Sequence, residues 1–155
     1  VYNHEPPGYF CPFCELVRGG RRARSQPEDV VLHNDKVTAF IALSWWPNNP
    51  GHVLIVPNPH YENLYDLPLE YGFAVHAASR EIALAMKATY GCDGISTRQH
   101  NEPAGFQEVW HYHLHVFPRW ENDELYMLSP YRRDTAPEER LPYARKLREY
   151  LNASR

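Results

Sequence analysis

The chain has 155 residues, 43% of them hydrophobic and 14% aromatic, enough for one domain with a real core and too apolar for a disordered segment. A net charge of -3 removes bulk electrostatics as a reason to bind nucleic acid or a membrane surface, and no apolar run approaches the ~20 residues of a membrane span. Three cysteines, an odd number, make no disulfide framework and point to a reducing cytoplasm.

Residues 1–9 are proline-rich and read as an extended arm. Cys11-Pro12-Phe13-Cys14 follows. Two thiolates at this spacing can reach one ion, and Zn²⁺ asks for four ligands in a tetrahedron. A redox pair or two buried cysteines are the other readings, although no thioredoxin-like βαβ pattern surrounds the motif. The chain has no second Cys-x-x-Cys, so a zinc site would have to be completed by histidines. The basic run from Arg18 to Arg24 reads as a solvated loop more readily than as a polyphosphate cradle.

Val30–His33 and Val37–Ala42 flank Asn34-Asp35, the pattern of a hairpin. The breaker-rich stretch from Ser44 to Gly51 is a loop. In it Trp45 and Trp46 either stack on a planar ligand or pack in a subunit contact. His52–Pro57 is a short apolar strand suited to a position covered on both faces, and His60 lies in the segment after it. From Leu69 to Tyr90 the apolar residues Val75, Ala78, Ile82, Ala85 and Met86 recur at helical spacing, with Gly91 as the stop. Gly94–Arg98 supplies another strand, and Gln99–Glu108 a polar loop.

That loop feeds His111-Tyr112-His113-Leu114-His115-Val116-Phe117-Pro118, where histidines alternate with apolar residues. A strand sends successive side chains to opposite faces, so His111, His113, His115 and Phe117 share one face, with neighbouring imidazoles roughly 6.6 Å apart. Tyr112, Leu114 and Val116 share the other and pack on a helix. Pro118 is expected to close the strand. Three imidazoles in a row mark a site, since this side chain serves near neutrality as nucleophile, acid, base or metal ligand. A last helix is expected from Pro142 to Leu151. The fold class is α+β: one domain spanning residues 1–155, with an antiparallel sheet of about five strands and one long helix across it.

The combined motifs resemble the histidine triad (HIT) family. Residues 111–117 match its His-φ-His-φ-His-φ-φ pattern throughout. Pro50-Gly51-His52 with the strand to Pro57 resembles its upstream Gly-His-strand-Pro segment, and Ala104-Gly105-Phe106-Gln107 its glycine-rich approach. Cys11-Pro12-Phe13-Cys14 resembles the opening of its zinc-bearing bacterial members. The resemblance covers residues 10–120 and leaves 121–155 as a C-terminal extension with a helix.

The resemblance implies a nucleotide substrate, cleaved at an α-phosphate bond through a nucleotidyl-histidine intermediate and without a catalytic metal. The substrates implied are dinucleoside polyphosphates or nucleoside phosphoramidates. His113 would be the nucleophile, its other nitrogen held by a backbone carbonyl or His52, and His115 would face the phosphate oxygens. Ser44, standing where the family has Asp or Asn, would contact ribose. His100 would stand near the phosphate, and Gln107 would orient phosphate or leaving group. A structural zinc would be held by Cys11, Cys14, His60 and His111. Glu108 is a departure, an anion close to a phosphate site unless it is protonated, turned away or paired with Arg. Phe117-Pro118-Arg119 resembles the Fhit-type branch more than the Hint-type. The resemblance also implies a homodimer. The alternative function is a zinc-stabilised nucleotide-binding or interaction module with little activity.

Overall fold

The structure is a computed structural model and describes residues 2–155. It is an α+β fold. Strands β1 (Val30–His33), β2 (Val37–Ile41), β4 (Val53–Pro57), β5 (Gly94–Gln99) and β6 (Leu114–Arg119) form one antiparallel sheet in the order β1-β2-β4-β6-β5. Two-residue strands β3 (Ser44–Trp45) and β7 (Arg133–Asp134) pair separately.

Alternation along the strands builds two different faces. Val37, Ala39 and Ile41 of β2, Val53 and Ile55 of β4, and Val116 of β6 turn to one side. There they meet Val75, Ala78, Ile82, Ala85 and Met86 of helix α2 (Leu69–Tyr90). Gly91, at φ 68°, stops that helix in the left-handed conformation that L side chains rarely adopt. The opposite face carries Phe40, Leu54 and Val56, covered by Phe13 and Leu16 of the short helix α1 (Pro12–Val17). Every residue of β4 is therefore buried, as its uninterrupted apolar run requires.

The segment after β6 is more than an appendage. Helix α3 (Pro137–Ala153) sends Ala144, Leu147 and Leu151 into the same core as α2. It starts five residues before the expected Pro142. Pro137 occupies its first position, where no N–H is needed, and the Glu139 carboxylate accepts from the Ala136 N–H at 2.8 Å. Pro142 is then an interior proline, and the missing bond to Glu138 falls within the first two turns of a helix held by its packing.

Two strand boundaries also differ from expectation. The histidine strand begins at Leu114, because the Tyr112 N–H goes to Tyr61 O (2.6 Å) and the His111 N–H to Val109 O (2.9 Å) rather than to a ladder. It also continues through Pro118 to Arg119. Pairing with β4 ends at Val116, and Pro118 O, beyond it, accepts from Asn49 Nδ2 at 2.9 Å. In a strand a residue's N and O point the same way, so the proline lies where no neighbour asks for its hydrogen. Among the described residues no helix is long and apolar enough to cross a membrane.

Candidate active site

The face of the sheet opposite α2 brings the histidines together at one end. Tyr112 and Val116, with Leu114 packed against them, belong to the helix-side core. His113, His115 and Phe117 point the other way: the rings of His113 and His115 stand 5.2 Å apart, and those of His115 and Phe117 stack at 5.4 Å. His52, at the start of β4, stacks on Phe117 at 4.5 Å and on His115 at 5.6 Å. The glycine before it is required. Gly51 has φ 78°, and a Cβ there would run into the Tyr143 ring.

His113 is 6% exposed, deep but not sealed. Its Nδ1–H donates to His111 O at 2.7 Å, which leaves the Nε2 lone pair free. Burial pushes its pKa down to about 4, so the ring is neutral near neutrality. Burial also pushes His52 down to about 3, and His115 well below its ordinary value. His115, half-buried, keeps its Nδ1 buried and without a hydrogen-bond partner. His100 closes the row from the end of β5, its ring 5.9 Å from His115 and its Nδ1–H on Gly105 O at 2.5 Å. Four imidazoles thus converge, three of them held uncharged.

The other expected contacts are placed differently. Gln107 is buried with its amide fully engaged. Its nitrogen donates to Glu62 O (2.6 Å) and Val109 O (3.0 Å), and its oxygen accepts from Glu102 N (2.9 Å). It braces the loop before the triad. Ser44 donates its hydroxyl to Asp134, a carboxylate brought in by the β3–β7 pairing. Glu108 is held by Arg132, so the paired alternative is the one the fold adopts. Trp46 is buried against His52 and Phe117, and Trp45 packs on Tyr143. Arg98, Tyr126, Arg132 and Asp134 also line this region and were not anticipated. For Arg98 a signal existed, since it precedes His100 by two residues and so shares its face.

A second cluster lies behind His113. Cys11, Cys14, His60 and His111 each offer one ligand atom, all within 4.8 Å of one another. His60 Nδ1 and His111 Nδ1 approach to 3.2 Å, with Cys11 Sγ 3.3 Å from His111 Nδ1 and Cys14 Sγ 3.2 Å from His60 Nδ1. Tetrahedral zinc with Zn–N near 2.05 Å would set two nitrogens about 3.4 Å apart. The remaining ring nitrogens are on acceptors, His111 Nε2 on Pro57 O (2.9 Å) and His60 Nε2 on Glu5 Oε2 (2.6 Å). Both Nδ1 atoms are thereby left as lone pairs facing the centre, the tautomer that ligation needs. The donor set fits the ion.

Fold and site define an α+β protein with a row of imidazoles on one sheet face and a cysteine–histidine cluster buttressing it. The HIT domain model matches residues 23–122, and the chain belongs to that family. It is similar to a crystal structure of a Hit-like protein from Bartonella henselae, at 34% identity and TM-score 0.77, covering 90% of this chain and 95% of that one. A zinc-bound histidine triad family protein from Mycobacterium smegmatis is 30% identical with TM-score 0.75, covering 93% and 94%. An adenylylsulfatase of Arabidopsis thaliana is 30% identical over 123 residues, 79% of this chain and 59% of that protein.

Proposed function

We propose that the chain is a nucleotidyl hydrolase or transferase that acts at an α-phosphate through a nucleotidyl-His113 intermediate. Its substrates are dinucleoside polyphosphates, nucleoside phosphoramidates or related nucleotide conjugates. One observation carries the reading: the Nδ1–H of His113 is fixed on His111 O, which leaves Nε2 as the lone pair of a ring that packs against His115. The relative named for cleaving an adenylyl conjugate supports the substrate class.

In this scheme Nε2 forms a bond to the α-phosphorus as the bond from phosphorus to the leaving group breaks, and the electron pair departs with that group. The ring becomes an imidazolium whose Nδ1–H strengthens its bond to His111 O. Water then attacks the same phosphorus, the N–P electron pair returns to Nε2, and one proton of that water ends on the departed group. His115, uncharged in the free protein, offers an N–H to the phosphate oxygens and stabilises the charge that gathers on them.

The ion at Cys11, Cys14, His60 and His111 is zinc in this reading. A closed four-ligand site supplies folding energy and holds the triad's first histidine in place. The homodimer is supported by Leu69 and Phe73, which stand one helical turn apart on α2 and are 77% and 70% exposed.

His113→Asn is expected to lose turnover by about 10³-fold or more while still binding nucleotide, since the attacking atom is gone and the pocket remains. Brief incubation of wild-type protein with labelled substrate should place the label on His113. Nucleotide binding with no label on any histidine would make the chain a binding module instead.

A further inference from the structure

β5 runs antiparallel to β6 and sets Arg98 directly opposite His115. Side chains of such a pair share a face, so the guanidinium lies on the imidazole side. It sits in an aromatic box, with its Cζ 4.9 Å from the Phe117 ring centre, 5.3 Å from Trp46 and 5.6 Å from Tyr126. The neighbouring arginines have carboxylates, Arg119 on Asp123 and Arg132 on Glu108. Arg98 has none among the described residues, and its Nε is buried without a hydrogen-bond partner. Burial first, and then repulsion from Arg132 and Arg119, works against its charge.

Three further buried nitrogens close by are also without partners, Trp46 Nε1, His52 Nδ1 and His115 Nδ1. Arg132 leans over the same indole, Cζ 5.6 Å from the Trp46 ring centre. Buried polar groups left unpaired are uncommon in native proteins, because each gives up its hydrogen bonds to water without replacing them. Cation–π contacts offset part of the cost at Arg98 but accept no hydrogen bond. What this cluster lacks is an acceptor with several oxygens and negative charge.

We infer that Arg98, with Trp46 Nε1 and Arg132, forms a subsite for an anionic, phosphate- or sulfate-terminated leaving group, so that the chain favours such nucleotides over those that lose a neutral amine. This rests on the nucleotidyl-transfer reading and specifies its substrates. The residues differ from those that attack phosphorus: Arg98 comes from β5 and Arg132 from the segment after β6. The negative charge that grows on the departing oxygen is taken up by a half-buried guanidinium whose Nε is shut off from water, where a charge-assisted bond gains strength.

The test compares three substrates of the full chain: diadenosine triphosphate, adenosine 5′-phosphosulfate and adenosine 5′-phosphoramidate. Arg98→Gln is expected to lower kcat/KM for the first two about tenfold or more beyond its effect on the phosphoramidate. Arg132→Gln should shift the ratio in the same direction by less, and Arg98→Lys should restore part of it. The larger of the two selective losses tells a phosphate chain from a sulfate. Equal losses on all three substrates overturn the proposal, because Arg98 would then serve the α-phosphate or the fold. Calorimetric titration with inorganic tripolyphosphate gives a readout without turnover. Should wild-type protein turn over none of the substrates, the nucleotidyl reading falls and this titration decides. Binding that Arg98→Gln abolishes keeps the anion subsite, and binding that it leaves intact removes it.

Discussion

At the scale of single residues, the imidazole cluster depends on how the chain enters β4. Gly51 turns the chain into β4 at φ 78° with the Tyr143 ring against its α-carbon, while its carbonyl accepts from Tyr90 OH at 2.9 Å. Gly51→Ala has to relieve both the backbone strain and the clash, and is expected to cost about 1–3 kcal/mol. Chemical denaturation measures it, and an unchanged midpoint would mean that the backbone leaves the left-handed region as Tyr143 swings away. His52, the next residue, is 1% exposed and held at a pKa of about 3 by burial. An unfolded histidine titrates near 6.5, so below that pH the unfolded chain takes up a proton that the folded one refuses. The stabilisation is complete above pH 6.5 and is lost as pH falls toward 3, at up to about 1.4 kcal/mol per pH unit. Stability curves of wild type and His52→Asn between pH 6.5 and 4.5 should therefore differ in slope by one proton, with the variant the flatter.

At the scale of elements, the C-terminal segment is fastened by a buried ion pair. Arg140, 1% exposed, reaches Asp29 Oδ1 at 2.8 Å and Thr135 O at 2.5 Å, tying α3 to the turn before β1. Asp29→Ala strands a buried cation and is expected to cost about 3–5 kcal/mol, whereas Asp29→Ala with Arg140→Met should recover much of the loss. A double variant no better than the single would mean that the thread to Thr135 matters more than the charge. Such long-range ties mark the limit of what sequence discloses. Local periodicity was enough for α2, whose bounds and Gly91 stop are as expected, and for the hairpin and β4. Alternation put His113, His115 and Phe117 on one face against Tyr112, Leu114 and Val116. The partners in space were not legible. Asp134 reaches Ser44, and Arg132 reaches Glu108, only because the chain after β6 returns to pair with β3. Nothing near residue 133 signals that pairing. Gln107 looked free to meet a substrate because Glu62 O comes from a distant segment, and Glu102 N and Val109 O reach the amide only once its own loop has turned.

At the scale of the molecule, the proposed metal site joins three parts that have little else in common. Cys11 and Cys14 belong to α1 and its cap, His60 follows β4, and His111 leads into the triad strand. Glu5 bonds His60, and the backbone N–H groups of His4 and Glu5 both donate to Glu62 at 2.8 Å, so the arm closes over the same corner. Phe13 then spans the two sites, with its ring 5.8 Å from His111 and 5.3 Å from His113. A structural ion here would supply folding energy and fix the carbonyl that holds the tautomer of His113, because that carbonyl belongs to a ligand. Chelation should lower Tm on the order of 10 °C, given about 2–4 °C per kcal/mol for a chain of this size. It should also speed amide exchange at residues 2–9 and 111–113 ahead of α2. Cys14→Ser should mimic both effects and show no further response to chelator, which separates loss of the ion from general damage by the reagent. If Tm and exchange are unmoved when metal analysis shows the ion gone, the corner is held by its hydrogen bonds alone, and His113 owes nothing to zinc.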